Sequence, residues 1–203
     1  MTRYIHIEGV DLSGKTSVSK AVAAMQPHEW NIRAASLSDA PNPLRKLTDD
    51  LCEQGIYGND TIGLAYAAAL KADMDTFVQP EIDTIQESTI LLRSLAYHAI
   101  NGNHAVLRVF EELAPHHPTF DHSFMLTASR DARLARLAGR AHNTDHDLLI
   151  VRDPERFFRM EDCIKEYSEG LFGTTTIDTT DMTIDEVAAY INQQLTIEGT
   201  PHE

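Results

Sequence analysis

Cysteine is scarce in this chain of 203 residues. The two present, Cys52 and Cys163, show neither metal-ligand spacing nor a disulfide framework, and read as ordinary semi-buried thiols. Long apolar runs are missing too. None approaches the roughly 20 residues of a membrane-spanning helix. The N-terminus lacks a charged-then-apolar signal segment, so the expectation is a cytoplasmic protein with no membrane partner. Positive charge is in short supply: 17 Lys and Arg stand against 31 Asp and Glu, a net charge of −14. A nucleic-acid backbone demands a basic surface, so no nucleic-acid partner is expected, although a local basic pocket for a nucleotide is compatible with an acidic exterior. There is no internal repeat and no low-complexity segment. The length suits one substantial core. One domain over residues 1–195 is expected, with a frayed tail over 196–203. Ten histidines are scattered. His116 and His117 lie between Pro115 and Pro118 without an acid or cysteine at ligand spacing, and read as a solvated loop.

What is there begins at the N-terminus. Residues 4–7 read as a short buried strand, and residues 9–16 fit G-x-x-x-x-G-K-[ST], a phosphate-binding loop. Val18, Ala21, Val22 and Met25 follow at helical spacing. Strand, glycine loop and helix together are the context this motif requires. Gly9 and Gly14 allow backbone torsions that let successive N–H groups turn inward on one anion, and the positive end of the helix faces the same point. Val10, Asp11, Leu12, Ser13 and Ser17 complete the cofactor-binding stretch. Lys15 supplies a point charge for β- and γ-phosphates, and Thr16 a hydroxyl for Mg²⁺. Lys15 reads as solvent-facing.

Strand and helix signals alternate along the rest of the chain. Residues 30–36 read as a strand, 37–43 as a proline-containing loop, and Leu44, Leu47 and Leu51 as a short helix ending near Gly55. A longer helix starts at 59–61, with Leu64, Ala68, Leu70, Met74 and Phe77 as its core positions. Residues 82–100 are ambiguous. Either 89–92 is a buried strand, or 82–87 is the strand and 90–100 the next helix. Residues 105–113 and 131–139 look helical, with a strand over 122–127 between them. Arg133, Arg136 and Arg140 at i, i+3 and i+7 share one helix face. The polar stretch around 139–152 contains His142, Asp145, His146 and Asp147. Asp153-Pro154 caps a helix striped by Phe157, Met160, Ile164, Tyr167 and Leu171. Residues 174–178 form a strand, and Thr183 with Glu186 a capping box opening a last helix with the stripe Ile184, Val187, Ala188, Ile191 and Leu195. The pattern predicts an α/β fold, a three-layer P-loop kinase architecture with a five-stranded parallel sheet covered by helices on both faces.

The chain resembles the thymidylate kinase family of nucleoside monophosphate kinases. Ile7-Glu8-Gly9-Val10-Asp11, leading into Gly14-Lys15-Thr16, is similar to that family's opening. Ser94-Leu95-Ala96-Tyr97-His98 resembles its Ser-Leu-Ala-Tyr-Gln. Residues 118–127 with Arg133 and Arg136 resemble its fourth strand and arginine-bearing helix, and 157–167 and 177–191 its C-terminal part. The resemblance implies a kinase that uses ATP and Mg²⁺, a small-molecule phosphoryl acceptor, a lid around 139–152, and a homodimer packed through helices.

The departures fall on one half of the site. Matching the family's Arg-Glu-Pro-Gly on Pro41 puts Asp39 where the arginine belongs. Ala68-Ala69-Leu70 stands for Ala-Ala-Arg, with Lys71 one place on. For the family's Asp-Arg-Tyr, aligning on residues 94–97 supplies Glu87 and Ser88, and the rival alignment supplies Leu92 and Arg93. The first is preferred because it keeps an acid near the metal. The ATP half therefore looks intact and the acceptor half rebuilt. The resemblance assigns catalysis to Lys15, Asp11, Arg93, Arg136 and Arg140, with Arg136 and Arg140 closing over the transferring phosphoryl group and Asp11 orienting the acceptor hydroxyl. Mg²⁺ falls to Thr16 with Glu87 or Glu8, and the acceptor to Asp39, Lys71, Arg93 and Tyr97. The acceptor is a nucleotide or nucleoside-like compound, dTMP being a poor one; a non-nucleotide alcohol or amino-containing metabolite is the alternative. A nucleotide-binding regulator without turnover is the reading from another class.

Overall fold

The computed structural model describes residues 2–144 and 147–197. Five strands are hydrogen-bonded in one all-parallel sheet: β1 (Tyr4–Glu8), β2 (Asn31–Ala34), β3 (Thr84–Glu87), β4 (His122–Thr127) and β5 (Thr175–Asp178), in the order β2-β3-β1-β4-β5. Parallel neighbours need crossovers, and helices supply them. The crossover helices are α1 (Lys15–Ala24), α2 (Pro43–Gln54), α3 (Asn59–Asp75), α4 (Ile90–Ile100), α5 (His104–Leu113), α6 (Arg130–Ala138), α7 (Leu149–Arg152) and α8 (Pro154–Phe172), and α9 (Ile184–Ile197) follows the last strand. The second alternative for residues 82–100 is the one found: β3 ends at Glu87, and Thr89 caps α4 by accepting from the Leu92 N–H.

The strands alternate sides as a period of two requires. Ile5, Ile7, Ile85, Phe124, Leu126 and Ile177 face a core closed by Val18 and Val22 of α1 and Val187, Ala188 and Ile191 of α9. The opposite face of β1 offers Tyr4 and His6, whose rings pack on Phe77, Phe120 and Phe172. Two further clusters hold the helices on that side. One joins α3, α4 and α5 around Leu70, Leu91 and Phe110. The other joins α4, α6 and α8 around Leu92, Leu137, Phe157 and Ile164. Burying a side chain of this kind stabilises by about 1.5–3 kcal/mol.

Caps behave as their residue types dictate. Asp153 accepts from the Arg156 N–H at 3.0 Å, and Thr183 and Glu186 exchange bonds as a capping box. Several expectations need correction. The buried stripe of α3 is Gly63, Ala67, Leu70 and Asp73, whereas Leu64 and Ala68 face outward. Ile184 is exposed. Cys52 is exposed, not semi-buried. His117 is buried beside Phe120 and Phe172 and bonds the Pro118 carbonyl; it is not solvated. In the tail, Thr196 and Ile197 continue α9, and 198–203 lie outside the described residues, as do Asp145 and His146 of the lid. Among the described residues no helix is long and apolar enough to cross a membrane.

Candidate active site

Strand β1 is central, so the loop after it stands at the middle of the sheet's carboxyl edge, where open α/β sheets bind ligands. Gly14 caps α1 with φ 92° and no side-chain cap bond. That left-handed torsion suits glycine, and it leaves the first-turn N–H groups of the helix open to an anion. Gly9 is required for a different reason. A Cβ there would lie 2.5 Å from Ser13 Oγ and 2.8 Å from the Leu126 carbonyl oxygen. Three non-glycine residues also adopt positive φ: Leu12 within the loop, Ala35 just after β2 and Ser88 just after β3. Backbone strain of this kind gathers at functional sites, and all three ring the same edge.

Lys15 is half-buried, not solvent-facing, because its Nζ folds back to donate to the Gly9 carbonyl at 3.1 Å. Burial first, then the charge of Arg93, pull its ammonium below the usual lysine range, while Glu8, Asp11 and Glu87 pull the other way. Thr16 is exposed, and its hydroxyl donates to Glu87 Oε2 at 2.9 Å. Glu87 itself is buried, and its second oxygen, Oε1, has no partner. A buried carboxylate oxygen without a donor is costly. Beside a loop hydroxyl it is the donor set a hard cation takes, since Mg²⁺ binds through one or two carboxylates plus phosphate and water. Thr16 and Glu87 thus fit Mg²⁺. Among the described residues there is no cluster of three or more His, Cys, Asp or Glu side chains poised for a metal.

Glu8 is turned away from that position. Its Oε1 accepts from the Gly9 N–H, the Ser88 hydroxyl and Arg93 Nη2, at 2.8, 2.8 and 3.1 Å. Its Oε2 points into the core, 3.8 Å from His6 Nε2. Burial opposes the charge, but Arg93, His6 and Lys15 together hold the carboxyl well below the ordinary range. Glu8 is therefore held at the floor of the loop through Oε1, with Oε2 unbonded on the side of His6. Arg93 reaches back from α4 to the same floor, also donating to the Gly9 carbonyl at 2.6 Å and lying 3.3 Å from the Ser88 hydroxyl. It arrives from one turn inside the helix, next to the small Ser88 at the strand end. Tyr97 lies one turn further on the same helix face, half-buried, with the Arg156 guanidinium 5.8 Å from its ring centre.

The arginines of α6 do something other than what their spacing suggested. Arg133 is fully buried and donates to the carbonyls of Ala128 and Asp11, at 2.9 and 2.7 Å, while pairing with Glu161 of α8. Arg136 donates to the Leu12 and Ser13 carbonyls at 3.0 and 3.2 Å and to the Thr179 carbonyl at 2.7 Å. These guanidinium groups bind backbone carbonyls of the loop, at Asp11, Leu12 and Ser13. Arg136 is thus a brace, and its donors are not free to close over a phosphoryl group. Arg140 is tied to Asp147, which is also bonded by Thr144. Beside these residues opens a cavity of about 420 Å³, lined by Ser13, Gly14, Ser17, Arg136, Thr179 and Met182 among others. It lies on the β4/β5 side of the loop.

The remaining acceptor candidates lie elsewhere. Asp39 accepts from Arg33 Nε and Nη2 at 2.8 and 2.6 Å and from Asn31 Nδ2 at 2.7 Å. Asn31 is the first residue of β2, so Asp39 is drawn toward the amino end of the sheet. Lys71 is exposed and paired with Asp75 on its own helix. The structure thus brings Lys15, Thr16, Glu87, Glu8 and Arg93 together, with Asp11 in the same loop, and leaves Asp39 and Lys71 apart. Sequence reasoning missed Asp73, which is buried on α3 and whose carboxylate accepts from the segment after β2. Its one signal was a charged residue in helical register with the buried face.

The chain has the fold of thymidylate kinases. A thymidylate kinase from Candida albicans superimposes with a TM-score of 0.71 at 16% identity, covering 97% of this chain and 92% of that one. A deoxyadenosine kinase from M. mycoides, solved with the products dCMP and dCDP, gives 0.63 at 17% identity, covering 96% and 99%. A thymidylate kinase from Ehrlichia chaffeensis gives 0.61 at 15%, covering 96% and 98%. No protein-family model and no curated protein matches the chain.

Proposed function

We propose that this protein is an ATP-dependent kinase of thymidylate-kinase type, transferring the γ-phosphoryl group to a nucleoside-like alcohol and using dTMP poorly. The observation that carries the reading is the Thr16 hydroxyl donating to Glu87 beside a glycine loop with Lys15 folded into it. The inward N–H groups of the loop and Lys15 hold the β- and γ-phosphates, and the cavity beside Arg136 and Thr179 takes the nucleoside end of ATP. Thr16 and Glu87 hold Mg²⁺, which when bound neutralises charge on the β- and γ-oxygens. Arg93, already at the loop floor, stabilises charge spreading onto the transferred group. Asp11 orients the acceptor hydroxyl.

With the nucleoside end of ATP on the β4/β5 side, the acceptor comes from the β2/β3 side. There Arg33, Arg45 and Lys71 are each paired with a carboxylate. A bidentate grip on an acceptor phosphate is not offered by these groups. That favours an unphosphorylated acceptor, in keeping with the deoxyadenosine kinase among the structural neighbours. Residues 139–152 serve as the lid. The exposed apolar side chains Leu44, Leu47, Ile56, Tyr57 and Leu64 make α2 and α3 the face of a homodimer. Two free thiols suit the reducing cytoplasm.

The test is ATP consumption with Mg²⁺ across deoxynucleosides, their monophosphates and amino alcohols. Turnover of a deoxynucleoside supports the reading. Turnover confined to amino alcohols moves the acceptor to the other class of metabolite. Tight ATP binding with no consumption leaves a nucleotide-dependent regulator.

A further inference from the structure

The segment between β2 and α2 contains Ser36, Ser38, Asp39, Pro41 and Asn42. It has no ladder of its own, and such loops are held by side chains or not at all. At its start the Ala35 N–H donates to the Glu87 carbonyl at 2.8 Å. The segment thus begins on the backbone of the acid that faces Thr16. Further along it is fastened to α3 by one side chain. Asp73 accepts from the Ser36 hydroxyl at 3.1 and 3.0 Å, from the Leu37 N–H at 3.2 Å and from Asn42 Nδ2 at 2.6 Å. Asn42 also donates to the Ala69 carbonyl and caps α2 through Oδ1. The Leu37 side chain is buried against Ala67, Leu70, Leu91 and Leu95.

Asp73 is 2% exposed. Among the described residues it forms no ion pair, and Arg33, Arg45 and Lys71 on this side pair with Asp39, Asp49 and Asp75. A buried carboxylate without a counter-ion is tolerated only when donors converge on it. Here three groups of one segment do so. An asparagine or glutamine could have made fewer of these bonds, because its amide nitrogen cannot accept.

Resting on the kinase reading above, we propose that Asp73 is the positioning and specificity-determining residue of the acceptor side. It holds residues 36–42 as the wall against which the acceptor alcohol lies. Its uncompensated negative charge makes that wall unfavourable to an acceptor already bearing phosphate.

The test combines hydrogen exchange with kinetics, using ATP, deoxyadenosine and dAMP as probes. Asp73→Asn keeps the size of the side chain, removes the charge and sets an amide against Asn42 Nδ2. In this variant, amides of residues 36–42 exchange about tenfold faster or more, those of the phosphate loop are unchanged, and KM for deoxyadenosine rises about tenfold while KM for ATP stays within about twofold. The preference for deoxyadenosine over dAMP falls by about tenfold, a ratio that a merely structural role would not move. The double variant Asp73→Asn/Asn42→Asp, which exchanges carboxylate and amide across the contact but gives up the Asn42 bond to the Ala69 carbonyl, recovers part of the slow exchange and of the acceptor KM. Unchanged exchange in residues 36–42 would overturn the clamp. Faster exchange with unaltered acceptor KM, or equal losses for ATP and deoxyadenosine, would overturn the role assigned to Asp73 while leaving the kinase reading standing. Wild-type protein that phosphorylates no acceptor would overturn that reading, and this proposal with it.

Discussion

The two sides of β1 use their charged side chains in opposite ways. Toward β4 and β5, Arg133 and Arg136 donate to backbone carbonyls of the phosphate loop, at Asp11, Leu12 and Ser13. Toward β2 and β3, the cations Arg33, Arg45 and Lys71 are spent on neighbouring carboxylates. If the first side binds nucleotide as proposed, its ligand-facing groups are main-chain N–H donors, and the arginines shape the backbone that carries them. Sequence can change widely there without changing the chemistry, provided the glycines and the bracing donors stay. On the second side recognition falls to side chains, so each substitution rewrites it. A chain about 16% identical to a thymidylate kinase thus keeps that fold while the cations Arg33, Arg45 and Lys71 of its β2/β3 side are paired with neighbouring carboxylates.

The sharpest way to break this comparison is Lys15→Ala. Lys15 is the cation carried by the phosphate loop itself, so on the proposed reading its loss should lower kcat by about 10³-fold. Its bond to the Gly9 carbonyl is single and half-exposed, and the melting temperature should shift little. Near-normal turnover, measured by coupled ATP consumption, would overturn the role given to Lys15 in the phosphate loop.

The acceptor side is tested next by dTMP against deoxyadenosine. Each charge-assisted bond to phosphate contributes about 1.5–3 kcal/mol. Without two of them, kcat/KM for dTMP should fall about a hundredfold or more below that for the unphosphorylated alcohol. Efficient turnover of dTMP, at about 10⁴ M⁻¹s⁻¹ or above, would show that the paired cations release their carboxylates to bind it, and the contrast between the two sides would vanish.

Glu87 lies on the seam between them. Glu87→Gln keeps the bond from Thr16 but replaces a charged oxygen with an amide. It should raise the Mg²⁺ concentration for half-maximal activity about 10–100-fold. Leu92→Ala, by contrast, should leave the Mg²⁺ titration alone and cost about 2–5 kcal/mol of stability, because Leu92 is wholly buried against Met125 and Phe157.

That pair also shows how much of the molecule was legible in its sequence. Both Glu87 and Leu92 are candidates for one family position, and periodicity alone left strand and helix open over residues 82–100. The structure ends β3 at Glu87 and sets that side chain beside Thr16, because strand ends in a parallel sheet share one edge. The strand, loop and helix of residues 4–24, the caps at Asp153 and Thr183, and the order of elements were readable, since each follows from local spacing. The direction of side chains was not. Arg136 has the spacing of a free helix face, yet it meets Thr179 from 43 residues away in sequence. Glu8 has the chemistry of a metal ligand, yet it is turned inward by Arg93 and Ser88. Asp73 carries a charge at a buried position, and only the folded segment after β2 explains it.

The smallest effects should come from Asp39 and Lys71, the two residues that alignment places at the acceptor. Lys71 is exposed and bonded to Asp75 within its own helix. A helix position one residue from the aligned one points about 100° away, which is why it cannot stand in for the arginine expected at Leu70. Asp39 is mostly exposed too, and its carboxylate is neutralised by Arg33 near the amino end of the sheet. An exposed pair such as Lys71–Asp75 contributes about 0–1 kcal/mol. Lys71→Ala should therefore change stability by about 1 kcal/mol or less, Asp39→Ala somewhat more because its partner Arg33 is largely buried, and both should leave the acceptor KM within about twofold, a difference under 0.5 kcal/mol. Arg33 keeps its bond to the Leu37 carbonyl, so even Asp39→Ala should leave residues 36–42 in place while Asp73 holds them. If either substitution instead raises the acceptor KM tenfold with the ATP KM unchanged, the charge pairs on this side open when the acceptor binds, and the side would have to be read as a switch and not as a fixed wall.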